Sequence, residues 1–137
     1  MKAIIQQQKT GCAIAASAAI AGISYPEAKV IAAGLRISAE DATLWSSSQP
    51  IRKLLRELGY ATGADKNPFN NWQALPDCAL LAIKWHVHKD QPFWHWVVFV
   101  REQSLCYVVD SKKALRNNIR TDFGRIKPKW FIEVTRH

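Results

Sequence analysis

The spacing of apolar residues divides the chain in two. Up to about residue 59 they recur at helical intervals, and from residue 78 onward they gather into the short blocks that strands use. Residues 12–21 are almost entirely Ala and Ile, with Gly22 as the stop signal, and leave nearly no polar face. A helix apolar all round is buried on every side, and small side chains let its neighbours approach closely. Ser24-Tyr25-Pro26-Glu27 reads as a helix entry, with a Ser cap, Pro in the first turn and Glu three residues after the cap. That helix is expected to run to about Ala33, before Gly34. Ser38-Ala39-Glu40-Asp41 is a weaker entry. Ser48-Gln49-Pro50 opens a clearer one, carrying Ile51, Leu54, Leu55 and Leu58 on one face and ending at Gly59.

Residues 1–5 are short, apolar and read as extended, while residues 60–73 are polar, with Gly63, Pro68 and an Asn pair, and predict a loop with at most one short strand. Four strands are then expected, at 78–85, 95–101, 105–110 and 129–135. Helices first and an antiparallel sheet second is an α+β layout. No internal repeat interrupts it, and 137 residues fit a single domain, 1–137, large enough for a core without disulfide or metal staples.

Composition changes this picture little: 48% hydrophobic and 22% charged is an ordinary globule. Charge adds more. The net +8 is concentrated at the end, where residues 112–137 hold eight Lys or Arg against Asp122 and Glu133. Such a stretch is a solvated face, or a surface for an acidic partner; no recognition motif supports nucleic-acid binding. The three cysteines, Cys12, Cys78 and Cys106, cannot all pair and form no C-x-x-C, which fits a reducing, cytoplasmic setting. The Ala-rich run after Lys2 and Lys9 reads as a core helix rather than a secretory signal, and no run has the length of a membrane span.

The candidate chemistry begins at Cys12, where an extended segment gives way to the buried helix. A free cysteine is most often a small core hydrophobe. At a helix start, however, free N–H groups and the dipole favour thiolate over thiol. Gln6, six residues earlier, can donate to an oxyanion beside the sulfur, with Gln7 or Gln8 in its place if the helix begins elsewhere. His95 and Asp110 are the informative pair. If their strands turn over Glu102-Gln103, Arg101 faces Ser104 and His95 faces Asp110, with Cβ atoms about 4.5–5.5 Å apart. The carboxylate then holds one imidazole nitrogen and leaves the other for a thiol. Glu-Gln suits a two-residue turn poorly, so a longer loop with shifted pairing stays open. On this register Val97 and Phe99 share the His95 face and pack on the buried helix, while Trp94 and Trp96 cover the other side. His86-Val87-His88 with His95 has a metal-site flavour, but no fourth ligand is evident. No metal and no cofactor is expected.

Gln6-x5-Cys12, His95-Trp-Val-Val-Phe-Val and Tyr107-Val-Val-Asp110 together resemble the bacteriocin-processing, double-glycine-leader cysteine peptidases, over most of the chain. The resemblance implies a papain-like fold in a free-standing domain. It also implies Cys12 as nucleophile, His95 as general acid and base, Asp110 as the orienting acid and Gln6 as the oxyanion donor, acting on a peptide or protein substrate. The chain has Gly11-Cys12-Ala13 and Asp110-Ser111 where that family usually has Asp-Cys-Gly and Asp-Pro. Two other functions compete: a cell-wall cysteine amidase or deamidase, and a catalytically silent binding module that keeps the fold.

Overall fold

A computed structural model of the chain describes residues 1–136. Three α-helices precede the main sheet: α1 (Cys12–Ala21), α2 (Tyr25–Gly34) and α3 (Gln49–Glu57), with a 3-10 turn at Ala42–Trp45. The strands are β1 (Tyr60–Thr62), β2 (Asn67–Pro68), β3 (Cys78–His88), β4 (Gln91–Glu102), β5 (Leu105–Val109), β6 (Ile119–Arg120) and β7 (Trp130–Arg136). They pair antiparallel in the order β1-β7-β3-β4-β5-β6, with β2 also on β7. The expected α+β layout is therefore the observed one. Among the described residues no helix is long and apolar enough to cross a membrane.

Local signals account for the helix boundaries. Gly22 closes α1 in the left-handed conformation at φ 71°. Ser24 and Glu27 form a reciprocal capping box at the start of α2. Ile51, Leu54 and Leu55 are the buried stripe of α3. The weaker entry at 38–41 yields only the 3-10 turn, capped by the Asp41 side chain. Residues 60–73 contain two short strands instead of one, both recruited by β7, and β6 is an element that the apolar spacing did not announce.

The sheet is covered on both faces, and the expected assignment of those faces is inverted. Trp94, Trp96, Val98 and Val100 belong to the core that contains α1, α2 and α3. Val97 and Phe99 face the other way, into a smaller core with Leu81, Val108 and Ile126, closed by Trp72 and Phe123. The reason lies in volume. An Ala-rich helix leaves space above the sheet for large side chains, and the indoles of Trp94, Trp96 and Trp130 fill it edge to face, 4.9–5.6 Å apart. Trp96 is fully buried and its Nε1 donates to Leu44 O at 3.0 Å.

The turn before α1 is held as tightly as the core. Gly11 N–H donates to Gln8 O at 3.0 Å, Thr10 Oγ1 donates to Ala39 O, and Tyr25 Oη donates to Gln8 Oε1. A Cβ at Gly11 would stand 2.2 Å from Tyr25 Oη and 3.1 Å from Gln8 O. Tyr25 is buried, so its ring cannot swing aside. Gly11→Ala is therefore expected to destabilise the fold by about 1–3 kcal/mol, as overpacking does. Gly124→Ala, where a Cβ would meet nothing within 4 Å, serves as the control. Urea denaturation of the two variants checks the difference.

Candidate active site

The strands carrying His95 and Asp110 pair two residues away from the expected register. The turn is Gln103-Ser104, so Glu102 faces Leu105 and Val98 faces Val109. Gln103 takes up the left-handed backbone, φ 57°, that a tight hairpin demands. A two-residue slip preserves the face of every side chain, so His95 and Asp110 remain on one side. Asp110 now lies just past the end of β5 and is approached diagonally: His95 Nε2 donates to Asp110 Oδ1 at 2.7 Å.

His95 keeps the parity of Val97 and Phe99 but stands at an open corner of the sheet. β5 has ended alongside it, and the pairing of β4 with β3 slips between Ile83 and His86. At that corner the imidazole is bonded to Asp110 and lies near enough to the Cys12 thiol to feel its charge. Burial pulls the His95 pKa down, but hydrogen bonding to Asp110 and Cys12, with their charge, more than reverses this and pushes it up to about 9. Nε2 is committed to the carboxylate, which leaves Nδ1 as the uncommitted ring nitrogen. Cys12 opens α1 as expected, and it is fully buried. The imidazole edge, 15% exposed, is the outlet of the site.

Asp110 is the most enclosed member, with 1% of its side chain exposed. Burial disfavours its charge, yet His95, the Lys112 N–H at 3.1 Å and Arg120 Nη1 at 3.0 Å hold its pKa below the ordinary carboxylate value. Arg120 is itself gripped by Asp122, through Nε at 3.0 Å and Nη2 at 2.8 Å, so its fork points one remaining N–H at Asp110. Asn118 Nδ2 donates to Asp110 O at 2.7 Å and Lys112 O at 2.9 Å, fixing the backbone on either side. Asn118 and Arg120 were visible in the sequence only as part of a polar, basic stretch. Their signal, an Asn pair before a two-residue strand, is too weak to single them out.

The segment before α1 is stitched to the residue after Asp110. Gln6 N–H donates to Ser111 O at 3.0 Å, and Ser111 Oγ donates to Gln6 Oε1 at 2.7 Å. These contacts carry Cys12, six residues along, to the His95–Asp110 pair. The Gln6 amide nitrogen donates to Gln8 O at 3.1 Å and Lys9 O at 3.0 Å, so both of its protons are held within the turn. Of the residues of the metal reading, His86 and His88 are on the exposed end of β3, and His86, which lines a cleft with His95, stacks on Phe93 with its Nδ1 bonded to Lys84 O at 2.9 Å. Among the described residues no three His, Cys, Asp or Glu side chains are grouped to hold a metal. Beside His95 opens a cleft of about 400 Å³, walled by the Gln6–Lys9 turn, Trp45, Phe93 and Trp94 and rimmed by Lys84 and Lys112.

The depressed pKa of Asp110 adds stability that is present above the ordinary carboxylate value of about 3.9 and lost as pH falls through the lower, folded value. Arg120→Met leaves the buried carboxylate short of one charged partner and raises that folded value. The variant should lose about 3 kcal/mol at neutral pH, the lower end for breaking a buried pair, because His95 remains. Its acid unfolding midpoint should move to higher pH, read by tryptophan fluorescence across an acid titration.

No protein-family profile matches the sequence, and no curated protein matches it. Solved structures do match. The peptidase domain of Streptococcus ComA, a bi-functional ABC transporter of a quorum-sensing pathway, superposes with a TM-score of 0.65 at 13% identity. The match covers 99% of this chain and 98% of that one. A double-glycine-motif protease from an AMS/PCAT transporter, solved with its leader peptide, superposes with a TM-score of 0.56 at 15% identity, covering 99% of this chain and 91% of that one. At such low identity the likeness is one of fold, and it extends along the whole chain: this protein has the papain-like fold of the double-glycine peptidase domains.

Proposed function

We propose that this chain is a single-domain cysteine peptidase, and that Cys12, His95, Asp110 and Gln6 carry its chemistry. The observation that carries the reading is the His95–Asp110 hydrogen bond of 2.7 Å, with the Cys12 thiol near enough to raise the imidazole pKa and at the first turn of a buried helix. The fold shared with peptidase domains supports it. An amidase of the kind that uses a second His as its third residue is less well matched, because an aspartate occupies that place.

The reaction is acyl transfer to sulfur and then to water. The Cys12 thiolate attacks a peptide carbonyl carbon, and the carbon–nitrogen bond breaks as His95 gives its Nδ1 proton to the leaving amine. Water then adds to the thioester while His95 takes up its proton, the carbon–sulfur bond breaks, and thiolate and acid product separate. The oxyanion accepts from the Cys12 backbone N–H and from Gln6, which releases one of its two resting carbonyl partners. Asp110 keeps Nε2 occupied and the imidazolium stabilised throughout. The resting thiol is enclosed, so whatever covers it must yield when substrate enters.

Iodoacetamide labelling at mildly acidic pH, followed by mass spectrometry, tests the reading directly. Exposure alone favours Cys78 and Cys106, both half-buried, over the enclosed Cys12. Cys78 is nonetheless disfavoured, because burial pushes its thiol up to about 11. An activated Cys12 labels ahead of both despite its burial, and His95→Ala removes that advantage. If Cys12 labels no faster than Cys106, the enzyme reading fails and the chain is a binding domain.

Against a cleavable peptide, Cys12→Ala should abolish turnover, and His95→Ala should lower it about 10²–10⁴-fold. Turnover should fall as pH rises through about 9, where the imidazolium loses its proton. Asp110→Asn removes the negative partner of that imidazolium, so its alkaline limb should appear at lower pH. A pH–rate profile of kcat/KM for the two proteins checks the shift.

A further inference from the structure

The cleft beside His95 has a one-sided chemistry that the peptidase reading does not use. Its walls carry Lys9, Lys84, Lys112 and Lys113, and no Asp or Glu lines it. Lys84 and Lys112 stand close enough that Lys112 is the main influence lowering the Lys84 pKa, ahead of burial. Like charges at such a distance repel, and a protein ordinarily separates them or places a carboxylate between them. The nearby carboxylate, Asp110, favours the Lys84 charge less than Lys112 opposes it, and its oxygens are bonded to His95, the Lys112 N–H and Arg120. None of the ion pairs among the described residues involves Lys84, Lys112 or Lys113.

Two further features shape the cleft. Lys84 sits at φ 54°, a left-handed conformation unusual for a lysine, on the bulge where β3 and β4 lose register. Bulges re-aim side chains, and strain of this kind persists where it is useful. The cleft wall also contains Trp94, whose indole N–H is itself buried, so that the ring presents surface and not a donor. The cleft is therefore cationic, with the aromatic surfaces of Trp45, Phe93 and Trp94 between the ammonium groups.

Resting on the peptidase reading for its location, we propose that this cleft selects peptides bearing an aspartate or glutamate whose side-chain carboxylate lies between Lys84 and Lys112. The carboxylate supplies the negative charge that both ammonium groups lack, and the rest of the peptide covers the aromatic surface next to His95.

The test uses N-acetylated, C-amidated octapeptides, so that side chains alone carry negative charge. In a positional series, Glu replaces Gln at one position at a time. Binding is measured by titration of the Cys12→Ala protein, and cleavage with the unaltered protein. Glu at one position should improve binding about three- to tenfold over Gln, with the advantage shrinking as salt rises. Lys84→Asn, which keeps a residue tolerant of the left-handed backbone, combined with Lys112→Gln should erase the preference. Lys112→Glu should reverse it toward Lys-bearing peptides. A Glu preference in binding without any cleavage leaves this inference standing and sinks the peptidase reading. Cleavage with no Glu preference does the opposite. Equal treatment of Glu and Gln at every position, absence of binding altogether, or a preference that survives the double variant overturns the inference.

Discussion

Asp110 places a negative charge inside the protein, with nearly none of its side chain in contact with solvent. An isolated carboxylate there would protonate or unfold its surroundings. Its charge survives because donors reach it from separate parts of the chain: His95 from β4, the backbone of Lys112 just after β5, and Arg120 from β6. The short strand β6, two residues long, has little stability of its own. It pairs with Val108 and Val109 and so brings Arg120 alongside the carboxylate, while Asn118 ties down the intervening backbone. The burial of one acid thus dictates the course of the chain from Val109 to Asp122.

The same constraint reaches the helical layer. Because Ser111 follows Asp110 and clamps Gln6 at both its backbone and its side chain, the position of the acid also sets that of the turn leading to Cys12. A proline at 111 would lack the hydroxyl that holds Gln6 Oε1. On the far side, Gly11 accommodates the Tyr25 hydroxyl where any side chain would collide with it. Of the three positions where this chain departs from the motif of the family it resembles, Gly11 and Ser111 are therefore places where local contacts fix the turn before α1, and Ala13 is not.

How much of this was legible in the sequence depended on whether the deciding force was local. The bounds of α1, the capping box of α2 and the apolar stripe of α3 follow from residues within one or two turns, and they appear where expected. The pairing of His95 with Asp110 was legible because strands of one hairpin place them on one face, whatever the exact register. The register was off by two because the turn residues Glu102, Gln103 and Ser104 do not favour one hairpin strongly. The face assignment failed for a different reason. Both faces of β4 are apolar, so alternation cannot say which side meets the helices; the volume left by an alanine helix decides it, and that is a tertiary property. Arg120 was hidden because a cation in a basic stretch looks like solvated charge until its partner is located.

That last point changes the meaning of the net charge. Of the cations after residue 111, Arg120 is absorbed into the fold by Asp110 and Asp122, whereas Lys112 and Lys113 are left at the cleft with Lys84 and form no ion pair among the described residues. A guanidinium suits the buried role, since its planar fork satisfies two carboxylates at once, and an ammonium suits the exposed one, where it keeps much of its hydration. Asp110 accordingly does two things by consuming its donors completely. It holds His95, and, bonded on both oxygens, it favours the Lys84 charge less than Lys112 opposes it. The positive field at the cleft is thus a consequence of how the imidazole is held, and an anionic group arriving there meets charge that the fold has left uncompensated beside the enclosed thiol.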